Sequence, residues 1–277
     1  MISAHGVAGP NMLAEQHAHE FDSRLDFDGP THSYMLDGTL PCTSVTTVVA
    51  NAFPKFDPAA AIATMKTGRR WDPAHPLFAM SDKDIMDKWK QTGTEAAHAG
   101  TALHEHLDSI LNLPGELWKD AVAESVAAGS PVELQTCALP FLQTMLKDGG
   151  RPYRTEWRIF SAADRVAGTV DALVQEADGT FTLYDWKRSS SIKWDNHYET
   201  ALPPLRHIPN SKLAKYSLQL NLYRHLLEQQ MRIPVARMRV VAFHPDLPHG
   251  CHVYPVDRME KETAELLKMR RALLKSK

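Results

Sequence analysis

From residue 153 to residue 187 apolar and polar side chains alternate at every second position, in three runs: 153–160, 166–176 and 180–187. A period of two predicts β-strands, and the turn residues between the runs predict tight connections. Upstream the period changes. An alanine-rich stretch at 94–113, with Thr94 placed to cap it and Pro114-Gly115 placed to end it, predicts a helix. Two more helical stretches are expected at 116–128 and 132–148, parted by Gly129-Ser130-Pro131, and residues 57–92 read as short helices mixed with loops. Downstream, Leu213, Tyr216, Leu220, Tyr223 and Leu227 fall on one stripe and predict an amphipathic helix over 211–230. Residues 236–243 and 251–256 predict strands, and 257–275 a charged terminal helix with Asp257 at its N-cap. Near the start, alternation over 31–49 about Asp37-Gly38 predicts a hairpin with strands at Tyr34-Met35-Leu36 and Ser44-Val45-Thr46. Residues 1–28 show neither period and are expected to form a flexible leader.

The order helix, three strands, helix, strand predicts an α/β core with an antiparallel strand pair and a helical crossover to a further strand. The expected organisation is leader (1–28), a hairpin and helical region (29–93) and the core (94–277).

A chain of 277 residues, 43% hydrophobic, can bury one large core with a smaller lobe attached. Its net charge of −2 gives no overall attraction to a polyanion. The distribution is uneven, however. Residues 187–239 carry ten basic and three acidic side chains, and residues 1–110 carry eight basic and fourteen acidic ones. Such an asymmetry suits a basic groove on a neutral protein, or simply solvated helix faces. Cys42, Cys137 and Cys251 offer neither a disulfide framework nor a zinc spacing, which fits a reducing, intracellular setting. No apolar run has the length of a membrane span, and no signal peptide or clear transit peptide is visible.

The candidate chemistry centres on Asp185-Trp186-Lys187, the one place where an acid is followed two positions later by lysine. In a strand the two charges share a face and Trp186 takes the other. Asp171 lies on the preceding strand, in Gly168-Thr169-Val170-Asp171. A three-residue loop at 177–179, with Gly179 left-handed, sets Asp171 opposite Asp185; a two-residue loop puts them on opposite faces. The expected register is the first. Two carboxylates about 4 Å apart repel by roughly 4 kcal/mol at an effective dielectric near 20, so they share a proton or hold a cation. Oxygen ligands suit Mg²⁺ or Mn²⁺. Lys187 can orient or deprotonate a water and offset charge on a phosphate, and the Trp186 carbonyl is a further candidate ligand. Glu156, one strand earlier, either joins this cluster or pairs with Arg154 or Arg158. His104 is either structural or a ligand; Gly100 and Ala102 beside it are expected to permit close helix approach.

Four motifs in order, Gly100…His104, Glu156 with Gly168-Thr169-Val170-Asp171, Asp185-Trp186-Lys187, and Gln219-Leu220-Asn221-Leu222-Tyr223, resemble those of RecB-like nucleases of the PD-(D/E)XK superfamily. The likeness spans about residues 95–245 and is strongest toward phage-type and mitochondrial genome-maintenance exonucleases. The resemblance implies a restriction-endonuclease-like core. It implies metal ligation by His104, Asp171, Asp185 and the Trp186 carbonyl, with catalysis by Lys187, Asp185, Asp171 and Glu156. It also implies DNA contacts from Gln219, Tyr223, Lys212, Lys215 and Arg188. The four cysteines that hold an iron–sulfur cluster in some relatives are missing, so no cluster is expected, and no phosphate-binding Walker loop appears, so no nucleotide is expected.

The expected function is a Mg²⁺- or Mn²⁺-dependent DNA exonuclease acting on ends or single strands in repair, recombination or genome processing and leaving 5′-phosphates, with RNA as an alternative substrate. The competing readings are a structure-specific endonuclease or resolvase, and a non-catalytic nucleic-acid-binding module. Trp71, Trp89, Trp118, Trp157 and Trp194 are candidates for stacking on bases.

Overall fold

A computed structural model describes residues 12–113, 137–196 and 198–275. Among them eight strands form one mixed sheet. Strands β1 (Leu25–Asp28), β2 (Ser33–Leu36) and β3 (Leu40–Ser44) make an antiparallel meander, and β3 joins β5 in parallel. The central hairpin is β4 (Arg151–Ser161), β5 (Val166–Gln175) and β6 (Phe181–Arg188), all antiparallel. Helix α6 (Lys212–Gln230) then carries the chain to β7 (Val235–Phe243), which lies parallel to β6, and β8 (Cys251–Pro255) closes the edge. The mixed α/β class and the helical crossover are as expected.

The sheet is split at its centre. One edge of β5 is paired with β4 along its whole length. The other edge pairs with β3 at Val166 and Ala167 and with β6 only from Ala172 to Gln175. Residues 168–171 lie in the gap, and β6 beyond Tyr184 keeps only β7 as a neighbour. Helices cover both faces. On one, α2 (Val45–Ala50), α6 and the terminal α7 (Glu260–Lys275) pack over Val170, Leu173, Leu183 and Val240. On the other, α4 (Asp82–Leu111) and α5 (Leu139–Lys147) pack over Tyr184, Trp186 and Phe243.

Several elements differ from expectation, each for a local reason. Residues 12–28, expected to be leader, hold α1 (Met12–Gln16) and β1; the Asp22 carboxylate ties this segment to Arg154 at 2.9 Å and to the Trp157 indole at 2.8 Å. Residues 1–11 lie outside the described residues. Ser44-Val45-Thr46 is not strand. The Ser44 hydroxyl accepts the Thr47 N–H and caps α2, whose Val45, Val48 and Val49 are buried at helical spacing. Helix α3 (Pro58–Lys66) is capped by Asp57. Helix α4 starts at Asp82 rather than Thr94, with Ser81 as its cap and two acids in its first turn; Thr94 donates its hydroxyl to the Lys90 carbonyl inside the helix. From Met86 to Ala102 no side chain of α4 is buried, whereas Leu103, Leu107, Ile110 and Leu111 are. The helical stretch expected at 116–128 lies outside the described residues, and of 132–148 the described part forms α5.

Helix α6 is capped by Ser211 and is not a one-stripe helix: every residue from Ser217 to Tyr223, and Arg224 after it, is buried. The polar ones are paired. Arg224 meets Glu228 at 3.0 Å and Glu260 at 2.8 Å. Asn221 donates to the carbonyls of Ser217 and Asp257 and accepts the Met259 N–H at 2.8 Å. That contact sits at the start of α7, which begins three residues after the expected cap Asp257.

Candidate active site

The turn that sets the register is the three-residue loop. Glu176 donates its N–H to Thr180 and accepts that of Gly179, whose φ is +80°. Pairing then runs from Gln175 with Phe181 to Ala172 with Tyr184. One step further this register sets Asp171 opposite Asp185, as expected. There the backbone ladder stops, because the strands have begun to separate. The freed Trp186 N–H is taken by the Asp171 carboxylate at 2.7 Å.

Opposite Asp171 on β4 stands Glu156, whose φ of +42° is left-handed although it is not glycine. Apolar alternation slips at the same level: Val166 and Val170 face the α6 layer before it, and Leu173 faces that layer after it. A conformation of this kind costs on the order of 1–3 kcal/mol and persists only where its surroundings hold it. Thr155, next to Glu156, accepts a hydrogen bond from Asn112 at the end of α4, which also binds Asp108.

His104 reaches the gap from the α4 layer. Its Nε2 lies 3.0 Å from the Trp186 carbonyl, and its Nδ1 lies 3.7 Å from both Glu156 and Asp171. One ligand atom from each of His104, Glu156 and Asp171 falls within 4.8 Å of the others. Glu156 therefore joins the cluster and pairs with neither arginine of its own strand: Arg154 is turned to Asp22 and Arg158 lies over the Phe27 ring. Asp185 is not part of this converging trio. Its Oδ2 lies 2.7 Å from Lys187 Nζ and its Oδ1 accepts from Gln219 at 3.0 Å. The Lys187 ammonium is therefore the partner of Asp185 Oδ2, in a largely buried pair.

Burial and charge set the protonation here. Burial alone would lower the His104 pKa, yet the Asp171 charge and the Glu156 contact overcome it and raise it to about 9. Burial pushes Asp185 up to about 6, against the pull of Lys187. Asp171 is also raised, by burial first and with Glu156 adding to it. Lys187 is held charged, because Asp185 and Asp171 outweigh its own burial. Its ammonium also lies 4.9 Å from the Tyr216 ring.

From the α6 layer come Gln219 and Tyr223. A Cβ on Gly168 would stand 2.6 Å from the Tyr223 ring, so glycine at that position is what lets the ring in. Gln219 bridges the Tyr223 hydroxyl and Asp185. Both side chains are buried, which fits support of Asp185 rather than the expected contact with a nucleic-acid strand. Lys212 is exposed, with Nζ 3.2 Å from the Ser189 hydroxyl; Lys215 lies over the Phe53 ring, and Arg188 is half-buried at the end of β6. The expected close approach at Gly100 and Ala102 is not found: among the described residues nothing lies within 4 Å of a Cβ at Gly100, and Ala102 is exposed. Of the tryptophans, Trp157 is core, Trp194 is open to solvent, Trp71 and Trp89 lie between, and Trp118 is outside the described residues.

Two residues near the site were not among the expected site residues. Tyr34 of β2 shares a hydrogen bond with Thr169 at 3.0 Å and feels the charges of Glu156 and Asp171. Asp108 lies one turn beyond His104, its carboxyl raised by burial. The spacing of four from His104 to Asp108 was legible, but no motif marked it.

The donor set suits a hard divalent cation: carboxylates on neighbouring strands, a backbone carbonyl and one imidazole.

No family model and no curated protein matches the chain. Among solved structures it is similar to SSO0001 (18% identity, 58% of this chain and 68% of that one, TM-score 0.28). It is similar also to an alkaline exonuclease from Laribacter hongkongensis (12%, 61% and 83%, 0.33) and to an exonuclease candidate from Eubacterium rectale (12%, 64% and 65%, 0.35). At these scores the likeness carries no weight of its own; the geometry of the chain does.

Proposed function

We propose that this protein is a divalent-metal-dependent nuclease that hydrolyses DNA phosphodiester bonds, acting as an exonuclease on ends or single strands in repair, recombination or genome processing. The observation that carries the reading is the split between β5 and β6, where His104 and Glu156 converge on Asp171 and the Asp185–Lys187 pair faces it across the gap. The resemblance to RecB-like nucleases of the PD-(D/E)XK superfamily supports the same assignment.

Asp171, Glu156, His104 and the Trp186 carbonyl would hold Mg²⁺ or Mn²⁺, with Asp185 completing the set once Lys187 turns from it to substrate. The ion, when bound, supplies a Lewis acid for the phosphoryl oxygen and lowers the pKa of a water. His104 has to give up its proton to serve as a ligand, so ion binding should release protons. Lys187, held charged by the neighbouring carboxylates, orients the attacking water and offsets charge gathering on the phosphate. Gln219 fixes the Asp185 carboxylate for that role. Lys212, Lys215 and Arg188 give the strand cationic contacts, which makes binding salt-dependent.

The test is a cleavage gel with 5′- and 3′-labelled single and double strands and a covalently closed circle, with Mg²⁺, Mn²⁺ or chelator. Loss of labelled linear DNA only with metal, the circle staying intact, is expected. Cutting of the circle would make it an endonuclease, and no cutting of any substrate would overturn the proposal.

A further inference from the structure

Between β6 and α6 the described residues 189–196 and 198–211 form no helix or strand, yet they are tightly held. Ile192, Ala201, Leu205 and Ile208 are buried in the core under α2 and α6. The Asn196 side chain donates to the Asn210 carbonyl at 2.7 Å and accepts the N–H groups of Tyr198 and Glu199. Asn210 in turn binds the Glu199 carboxylate at 2.8 Å and its carbonyl at 2.9 Å. The Leu202 N–H reaches the Ala52 carbonyl at the end of α2.

This anchored loop shows two aromatic rings to solvent. Tyr198 is 95% exposed and Trp194 40% exposed. An aromatic ring left in water forgoes one of the largest burial gains a side chain can make. Here the same loop plugs four other side chains into the core, so the rings are outside although their loop is well packed. A pinned backbone also means that a ligand meeting these rings has little chain to order, which favours binding.

The start of this loop stands beside the proposed reaction centre. The loop leaves β6 directly after Lys187 and Arg188. Its Lys193 carbonyl accepts the Leu213 N–H in the first turn of α6, and Lys212 reaches back to Ser189 at the loop's start. One turn along α6, Tyr216 covers Lys187. Trp194 therefore follows, by one residue, the point where the loop meets the helix that flanks the catalytic lysine. Lys193, next to Trp194 in the chain, and Lys212, at the start of α6, are exposed cations. Ring faces for bases and cations for phosphates are what an unpaired strand offers contacts for; a duplex hides its base faces.

We propose that Trp194 and Tyr198 form a stacking shelf for unpaired nucleobases of the DNA strand that flanks the cleaved phosphate. The proposal rests on the nuclease reading and gives that site its preference for single strands.

Binding is measured by fluorescence anisotropy of a labelled oligothymidylate of about 12 nucleotides, in chelator so that nothing is cut. The double variant Trp194→Ala/Tyr198→Ala should raise the Kd about 100-fold, roughly tenfold per ring. Tyr198→Phe, which keeps the ring, should bind like the parent. An abasic strand should bind the parent as weakly as oligothymidylate binds the double variant, and duplex affinity should not change. Parent-like binding of oligothymidylate by the double variant overturns the shelf, as does an equal loss on thymidylate, abasic and duplex DNA. If the double variant binds as the parent does while the parent cuts DNA, the shelf alone falls. If the parent neither binds nor cuts DNA, the nuclease reading falls with it.

Discussion

The two faces of β6 are equally buried and chemically opposite. Trp186 is 2% exposed and Asp185, next to it, 1%. On the Trp186 side Tyr184, Phe141 and Phe243 surround the indole at ring separations of 5.3 to 5.9 Å, Tyr184 stacked, Phe141 edge to face and Phe243 tilted. On the Asp185 side the neighbours are Lys187, Gln219 and the facing Asp171. Burial that is favourable on one face is costly on the other. The aromatic side lets a strand carry charges that its opposite side compensates only in part. A β-strand serves this purpose well, because alternate residues belong to different environments.

The comparison can be broken on either face. The largest effect is expected from Lys187→Ala, which should lower cleavage by roughly 10²–10⁴-fold while the melting temperature still rises on adding Mn²⁺. Cleavage at the parent rate would remove Lys187 from the chemistry. Asp171→Asn should weaken both: the parent, at a metal concentration ~100 times Kd, should gain about 2.7 kcal/mol, and the variant distinctly less at that same concentration. On the aromatic face Trp186→Ala should cost about 3–5 kcal/mol by denaturant unfolding, with no selective loss of metal binding in the protein that stays folded.

Two smaller effects sharpen the picture. Gly168→Ala forces a methyl against Tyr223 and should cost about 1–3 kcal/mol; trimming the ring in Gly168→Ala/Tyr223→Leu should recover part of that if the clash is the cause. Asp22→Asn should cost about 1 kcal/mol once solvent screening is allowed for. Burial tends to raise the Asp22 carboxyl, but its bonds to Arg154, the His19 N–H and Trp157 outweigh that and lower it. A folded pKa below the unfolded one gives stability that is complete above the unfolded value and fades as pH falls through the folded one. The parent-minus-variant difference should therefore be flat above pH about 5 and shrink in acid. A difference that grows in acid would refute the assigned pairing.

What could be read from the sequence follows from what period and spacing encode. The three central strands alternate except at Glu156 and Asp171, and Gly179 after Asp178 specified the loop that brings Asp171 opposite Asp185. Other features have no local signature. Residues 82–93 show almost no apolar period, so the first turns of α4 were missed; they are held by the Ser81 cap and by surface pairs such as Lys83 with Asp87. Val45-Thr46-Thr47-Val48-Val49 is β-branched throughout and suggested a strand, but its cap and the burial of three valines at helical spacing prevail. Charged Arg224 and amide Asn221 implied a solvent-facing side for α6, and their partners come from about 36 residues away. The part played by Glu156 depends on a left-handed backbone and on a split in the sheet, and neither is written in a local pattern.

Helix α4 is about 45 Å long, and the two halves of this rod are bound by different rules. Its last three turns are wedged under leucines and carry the imidazole; along its first half, beyond Ile85, no described side chain is buried. Mutational drift is thus cheap on the outer half and constrained on the inner one. New surface chemistry can be installed on that projecting end, by descent or by design, without retuning the imidazole at the other.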